Sequence, residues 1–242
     1  MHARSRAVVL AALVVVAAAA PSAASFHFMQ IEQVVGGICG DPTLQAIQLR
    51  MRFAGQEFVG GRQLKAWDAL GNNPIVLITF PFDVGNDAQG SRILVKTSGL
   101  TGVAADFTLT QRIPDSYLRA GRLTFEDGFG TIYWSLSWGG AAYTGSNLGD
   151  FTNDADGDFG PPVAVRLPFN TARGLLFTGD APDPSTTNLA NYALTTGAAT
   201  LTNNSGGSTT LSTSCVFGDG FVTGDLLSWP GGVGFEAAAG SR

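Results

Sequence analysis

The chain has 242 residues, of which 45% are hydrophobic and 32 are glycine, and its polar residues lean towards threonine, serine and asparagine. Such a composition is typical of β structure with many turns. The 14 Lys and Arg residues are outnumbered by 19 Asp and Glu, giving a formal net charge of −5. This balance excludes the broad cationic surface that nucleic-acid binding requires, so no nucleic-acid partner is expected.

The first 25 residues have the three parts of a secretory signal peptide. Arg4 and Arg6 precede an unbroken apolar run from residue 7 to 20, and small residues follow up to Ser25. The run is too short to span a bilayer. We therefore predict cleavage near Ser25 and a secreted, extracellular or cell-surface protein, whose mature chain has no membrane anchor because no hydrophobic tail follows at the C-terminus.

Short strands separated by turn residues are predicted along most of the mature chain. The clearest is Leu44–Phe53, where apolar residues alternate with Gln48, Arg50 and Arg52, as in a sheet with one solvated face. The two arginines and Arg62 are therefore interpreted as solvent-facing. Further strands are predicted at Phe26–Val35, Gln63–Asp68, Ile75–Phe80, Arg92–Thr97, Val163–Leu167, Gly174–Thr178, Tyr192–Thr195, Ala199–Thr202 and Thr209–Phe217, with a helical turn near Pro114–Ala120 and a loop at Asn203–Thr210.

A hairpin of Arg122–Glu126 and Thr131–Trp138 is predicted around a glycine-rich turn. In its second arm the tryptophans share one face, which we assign to the core, and Tyr133 lies on the other. An exposed aromatic platform for sugar rings has the same pattern. Its candidate residues are Tyr133, Tyr143 and Trp67.

The segment "NDADGDFGPP" places Asp154, Asp156 and Asp158 at every second position. Their oxygens are ligands that Ca²⁺ prefers, so Ca²⁺ is a candidate cofactor here. The EF-hand template does not fit, because Phe159 and Val165 stand where glycine and glutamate are needed. Asn, Asp, Gly and Pro also form turns without any metal, and both interpretations stay open.

The two cysteines, Cys39 and Cys215, lie near the two ends of the mature chain. An exported protein can keep them oxidised, so a disulfide between them is predicted, with two separate thiols as the alternative.

Even spacing of short strands and the absence of helical periodicity predict an all-β fold, an antiparallel sandwich or barrel. The stretches "FMQIEQVVGG", "LQAIQLRM", "LKAWDALGNNPIVLITFP", "SRILVKTS" and "NYALTTGAATLTNN" resemble, in this order, the bacterial lamin tail domain. The resemblance implies one immunoglobulin-like β-sandwich domain over residues 26–242, with a long insertion. It also implies a non-catalytic extracellular module for attachment, scaffolding or ligand binding.

Catalytic motifs are missing from the sequence. His27 is the only histidine after cleavage, and no nucleophile elbow, phosphate-binding loop or zinc motif occurs. We therefore predict a non-enzymatic protein that binds an extracellular protein or glycan or has a structural role. The alternatives are a carbohydrate-binding module, a glycoside hydrolase using an acid pair such as Glu126 with Asp127 or Glu32 with Glu57, and a surface-layer component.

Overall fold

The computed structural model describes residues 25–212, and this part of the chain is all-β, as predicted. Within these residues no helix is long and apolar enough to cross a membrane. The regular elements are β1 (Met29–Val35), β2 (Ala46–Met51), β3 (Gln63–Trp67), β4 (Ile75–Thr79), β5 (Arg92–Lys96), β6 (Phe107–Thr108), β7 (Gly121–Glu126), β8 (Ile132–Trp138), β9 (Leu175–Phe177), α1 (Asn188–Asn191), β10 (Tyr192–Leu194), β11 (Thr200–Thr202) and β12 (Ser208–Thr210), with short 3-10 helices at Asp115–Tyr117 and Gly140–Ala142.

The strands form three sheets. The largest has six strands in the order β10-β9-β1-β2-β5-β6, a second has four in the order β4-β3-β7-β8, and β11 pairs with β12. All pairs are antiparallel except β5 with β6, which makes the six-stranded sheet mixed. β1 pairs with β2, which follows it in the chain, and the two arms of the predicted hairpin, β7 and β8, pair with each other.

The two larger sheets pack face to face around one hydrophobic core, in the manner of a β-sandwich. Apolar residues of β1, β2 and β5 join those of β3, β7 and β8 in a single buried cluster. The tryptophan face of β8 is core, as predicted: Trp134 and Trp138 are fully buried. Each indole N–H has a partner, Trp134 donating to the Tyr192 hydroxyl (2.7 Å) and Trp138 to the Tyr117 carbonyl (2.8 Å).

A second hydrophobic cluster lies on the opposite face of the six-stranded sheet. Val35, Ala46 and Leu94 on that face pack with Leu201 and Leu211, which belong to the β11–β12 hairpin and the chain that follows it. The segment predicted as a loop, 203–210, therefore contains the turn and second arm of a hairpin that covers the sheet. As a result, one end of the six-stranded sheet is covered on both faces.

Several predicted boundaries differ from the structure. The stretch Val163–Leu167 contains no strand, and only Val163 forms an isolated bridge, to Trp138. The two-residue strand β6 was not predicted. The last strand within the described residues, β12, ends at Thr210. Residues 213–217 of the predicted final strand lie outside the described residues, as does segment 1–24 of the predicted signal peptide.

Candidate functional site

A β-bulge in β1 places two consecutive polar residues on one face of the six-stranded sheet. The pairing with β2 runs from Ile31 opposite Leu49 to Gln33 opposite Gln48, so Glu32 is the extra residue. Met29 and Ile31 point to the core between the sheets, but the next side chain to do so is that of Val34 and not that of Gln33. The alternation of faces along β1 therefore shifts by one residue at the bulge. Glu32 and Gln33 consequently both lie on the other face. Bulges that re-aim side chains in this way are common next to binding and active sites.

Glu32 is the centre of a buried ion cluster on this face. Its carboxylate accepts two hydrogen bonds from Arg92, from Nε (2.7 Å) and Nη2 (2.8 Å), and one from Gln48 Nε2 (2.7 Å). Arg50 Nη1 lies 3.0 Å from the other side of the carboxylate. The Glu32 side chain is only 3% exposed. Such a charge is tolerated inside a protein only because it is paired and hydrogen-bonded.

The two arginines of this cluster differ in how much of each guanidinium is engaged. Arg50 also donates to Gln30 Oε1 (2.8 Å) and to the Gly179 carbonyl (2.9 Å), and its side chain is 10% exposed. Burial lowers the pKa of Arg50, against the opposing effect of the Glu32 carboxylate. Arg92 is 35% exposed, and its hydrogen bonds to Glu32 raise its pKa. Arg92 is thus the cation of this cluster that solvent reaches.

The expectation that Arg50 and Arg52 face solvent is wrong. Both are buried, because the segment that follows β9 covers this part of β2. Arg52 donates to Asn153 Oδ1 and to the Pro182 carbonyl, each at 2.7 Å. Their period-two spacing correctly placed both side chains on the same face, but that face is covered by loops that are distant in sequence.

A groove of about 690 Å³ opens above the ion cluster. Its floor is formed by polar side chains of β1, β2 and β5. Its walls are formed by residues 176–178 and 193–194, which lie in or next to the adjacent strands β9 and β10, and by residues 195–198, Thr200 and Thr202, which follow β10. The ionisable residues that line it are Glu32, Arg50 and Arg92, so the floor carries one net positive charge. This sign is opposite to that of the whole chain.

Gln33 contributes an unused donor to the same groove. Its side chain lines the groove and the residue is 2% exposed. Its amide Nε2 is buried and has no hydrogen-bond partner among the described residues. A buried amide nitrogen without an acceptor costs free energy, which a ligand atom that accepts this hydrogen bond would recover.

The aspartate loop forms a series of tight turns. Asp154 accepts from the backbone N–H of Asp156 (3.2 Å), Asp156 from that of Asp158 (2.9 Å), and Asp158 from that of Gly160 (2.9 Å). Each aspartate thus makes the side-chain turn expected of this residue type. Asp156 and Asp158 are exposed. Asp154 is only 3% exposed, and its Oδ2 is buried without a hydrogen-bond partner among the described residues. Burial raises the pKa of Asp154 to about 6.

Within residues 25–212, no group of three or more His, Cys, Asp or Glu residues is arranged to hold a metal ion. The three aspartates accordingly do not form a ready calcium cage. The loop would have to rearrange to coordinate Ca²⁺, and calcium binding stays a prediction.

The three aromatic residues of the predicted sugar platform do not form one open surface. Tyr143 is buried, and its hydroxyl donates to the Ser146 carbonyl (2.8 Å). Trp67 is half-buried and donates to the Thr124 hydroxyl (2.9 Å). Tyr133, also half-buried, stacks on His27 with ring centroids 4.8 Å apart.

The lone histidine of the mature chain and the acid pair Glu126 with Asp127 lie outside the groove lining. His27 is exposed. Glu126 is buried and pairs with Lys65 at 2.7 Å, and Asp127 accepts from the backbone N–H of Phe129 and of Thr131 in the hairpin turn.

Cys39 lines a depression together with Ser212, the last described residue. Its predicted partner, Cys215, lies outside the described residues. The disulfide therefore stays a prediction. It is supported by the position of Ser212, which is three residues before Cys215 and lines the same depression as Cys39.

In comparisons with known proteins, no family model and no curated protein matches the chain.

Gln33 and Arg92 were not among the predicted site residues, and Glu32 was predicted only as half of an acid pair. The signal was present in "MQIEQVV", where two consecutive polar residues interrupt a strand of otherwise alternating pattern. Such an interruption is typical of a bulge.

Proposed function

We propose that the protein is a non-catalytic ligand-binding protein of the cell exterior and that its ligand binds in the groove on the six-stranded sheet. The observation that carries this proposal is the groove itself, with its net positive floor and its unused amide donor at Gln33. The signal-peptide pattern in residues 1–25 supports the placement outside the cell. The likeness to lamin tail domains, which stays a prediction, agrees with a binding or scaffolding module.

The chemistry of the groove supports binding rather than catalysis. General acid–base catalysis needs a group that exchanges a proton near neutral pH, whereas the groove is lined by arginines, amides and hydroxyls around one carboxylate. That carboxylate, Glu32, already accepts hydrogen bonds from Gln48 and Arg92 and forms an ion pair with Arg50. A glycoside hydrolase would in addition need a second acid facing the first across the cleft, and among residues 25–212 Glu32 is the one acid that lines this groove.

A variant that fills the groove tests this proposal. Gly197 lines the groove, and a Cβ added there meets no atom within 4 Å, so Gly197→Trp is expected to obstruct the groove without disturbing the fold. Gly85 is equally open but lies outside the groove lining, so Gly85→Trp is the matched control.

The assay is a thermal-shift screen of the exported protein against sugars, oligosaccharides, amino acids and short peptides. We expect compounds that raise the melting temperature of the wild type and of Gly85→Trp but not of Gly197→Trp, since a ligand that binds only the native state stabilises it. A screen without any such compound, or one in which Gly197→Trp responds like the wild type, would refute the proposed function.

A further inference from the structure

We infer that the groove takes a carboxylate-bearing sugar, a uronate in an oligosaccharide, with the carboxylate on the free edge of Arg92. This inference rests on the proposed binding role of the groove. It names a ligand class from the arrangement of donors on the floor and acceptors on the walls.

The free edge of Arg92 provides the anion contact. A guanidinium has five N–H bonds, and Glu32 takes one from Nε and one from Nη2. The remaining N–H bonds point away from Glu32, on a side chain that is 35% exposed and lines the groove. Because Glu32 fixes the plane of the guanidinium, its outer edge is pre-organised for a second planar, bidentate acceptor. A carboxylate has that geometry.

The amount of charge on the floor favours a single negative charge. The guanidinium of Arg50 already contacts Glu32, Gln30 and the Gly179 carbonyl, so among the described residues that line the groove Arg92 is the cation with free N–H groups for a ligand. One net positive charge neutralises one carboxylate, whereas a dianionic phosphate would remain partly uncompensated. Gln33 also lines the groove, two strands away from Arg92, and its buried Nε2 has no hydrogen-bond partner among the described residues, so it is a second, neutral donor for the ligand.

The walls of the groove carry acceptors for sugar hydroxyls. Thr178, Thr195, Thr196, Thr200 and Thr202 line it. The Thr178 hydroxyl donates to the Asn191 carbonyl (3.0 Å). The Thr195 hydroxyl donates to the Gly197 carbonyl (2.7 Å) and accepts from the Gly174 backbone N–H (3.2 Å), so each hydroxyl keeps at least one acceptor lone pair. Donors on the floor and acceptors on the walls complement a molecule with one carboxylate and several hydroxyls.

An extended peptide fits the groove less well. Peptides and proteins gain most affinity from large apolar side chains that enter desolvated pockets. The one aromatic side chain that lines the groove, Phe177, is 2% exposed and packs edge-to-face against Trp134 and Tyr192. It belongs to the core and offers no anchor pocket.

Calorimetric titration tests the inference with trisaccharides that carry a single galacturonate, mannuronate or glucuronate residue beside neutral sugars, and with the methyl ester of each. The ester keeps every hydroxyl, removes the negative charge and adds only one methyl group. We expect at least one acid to bind, with affinity at least about tenfold above that of its ester, because charge-assisted bidentate hydrogen bonds are the stronger class. The affinity should fall as salt is added.

Variants locate the contact. Arg92→Gln should lower the affinity for the acid to that of the ester, and Arg92→Lys should restore only part of it because the bidentate geometry is lost. Arg119→Gln, an exposed arginine outside the groove lining, is the charge-matched control and should bind like the wild type. Since Arg92→Gln removes a partner of Glu32, Gly197→Trp serves as a second variant that blocks the groove without touching the ion cluster.

The possible failures separate the two proposals. If acid and ester bind equally and Gly197→Trp abolishes both, the carboxylate assignment is wrong while the binding role of the groove stands. If no uronate binds but the thermal-shift screen yields groove-dependent neutral sugars or peptides, the ligand class is again wrong and the function survives. If no ligand depends on an open groove, both proposals fail.

Discussion

Replacing Glu32 by Gln tests whether the ion cluster holds the groove floor together. The carboxylate accepts hydrogen bonds from Arg92 and Gln48 and pairs with Arg50, so the amide of Gln would place an N–H₂ group among donors and leave two guanidinium ions unpaired. Breaking a buried ion pair on one side costs about 3 to 5 kcal/mol. The 35% exposure of Arg92 allows it to rehydrate, so we expect a loss at the lower end, about 3 kcal/mol.

Urea unfolding followed by tryptophan fluorescence measures this loss. With a urea slope of about 2 kcal/mol/M, a loss of about 3 kcal/mol lowers the midpoint by about 1.5 M without changing the slope. The control is Asp115→Asn, which removes the exposed pair of Asp115 with Arg112 and should cost less than about 1 kcal/mol. A loss of under about 1 kcal/mol for Glu32→Gln would refute the reasoning, because the cluster would then be no stronger than a surface pair.

Three further outcomes are expected. The pKa of Asp154, about 6, lies above its ordinary value of 3.8, so native Asp154 binds the extra proton and wild-type stability falls as the pH rises between these values. In the presence of a chelator, Asp154→Asn should therefore be more stable than the wild type by up to about 3 kcal/mol at about pH 7, and urea midpoints should show this gain disappearing at about pH 4. Mass spectrometry without reductant should find the Cys39 and Cys215 peptides linked, and Cys39→Ala should lower the free energy of unfolding by up to about 5 kcal/mol, whereas separate peptides would contradict the pairing. Calorimetric titration with Ca²⁺ should release heat that is absent for Asp156→Ala, and identical traces without heat would remove calcium from the loop.

The strands could be predicted from the sequence because their signals are local. Alternation along β2 and β8 and the glycine and proline turns between strands depend on neighbours within a few residues. The tryptophans of β8 were correctly placed in the core for the same reason. Val163–Leu167 was wrong because an apolar stretch looks the same in a strand as in an insertion packed on the sheet.

The groove could not be predicted, because its parts come together only in the fold. Glu32 and Arg92 are 60 residues apart and meet across the neighbouring strands β1, β2 and β5. The burial of Arg50 depends on a loop that is 129 residues away. A period-two pattern shows which side chains share a face but not whether a later segment covers that face. The bulge at Glu32 is the one local clue.

The location of the ligand on the protein tests the central claim most directly. Amide and arginine Nε chemical shifts of the isotope-labelled protein would be followed while a uronate trisaccharide is added. We expect the largest changes at Arg92 Nε, at Gln33 and in residues 193–202, with the Trp67 indole N–H unchanged. Changes centred on Trp67 and Tyr133, with the groove resonances unmoved, would contradict the account.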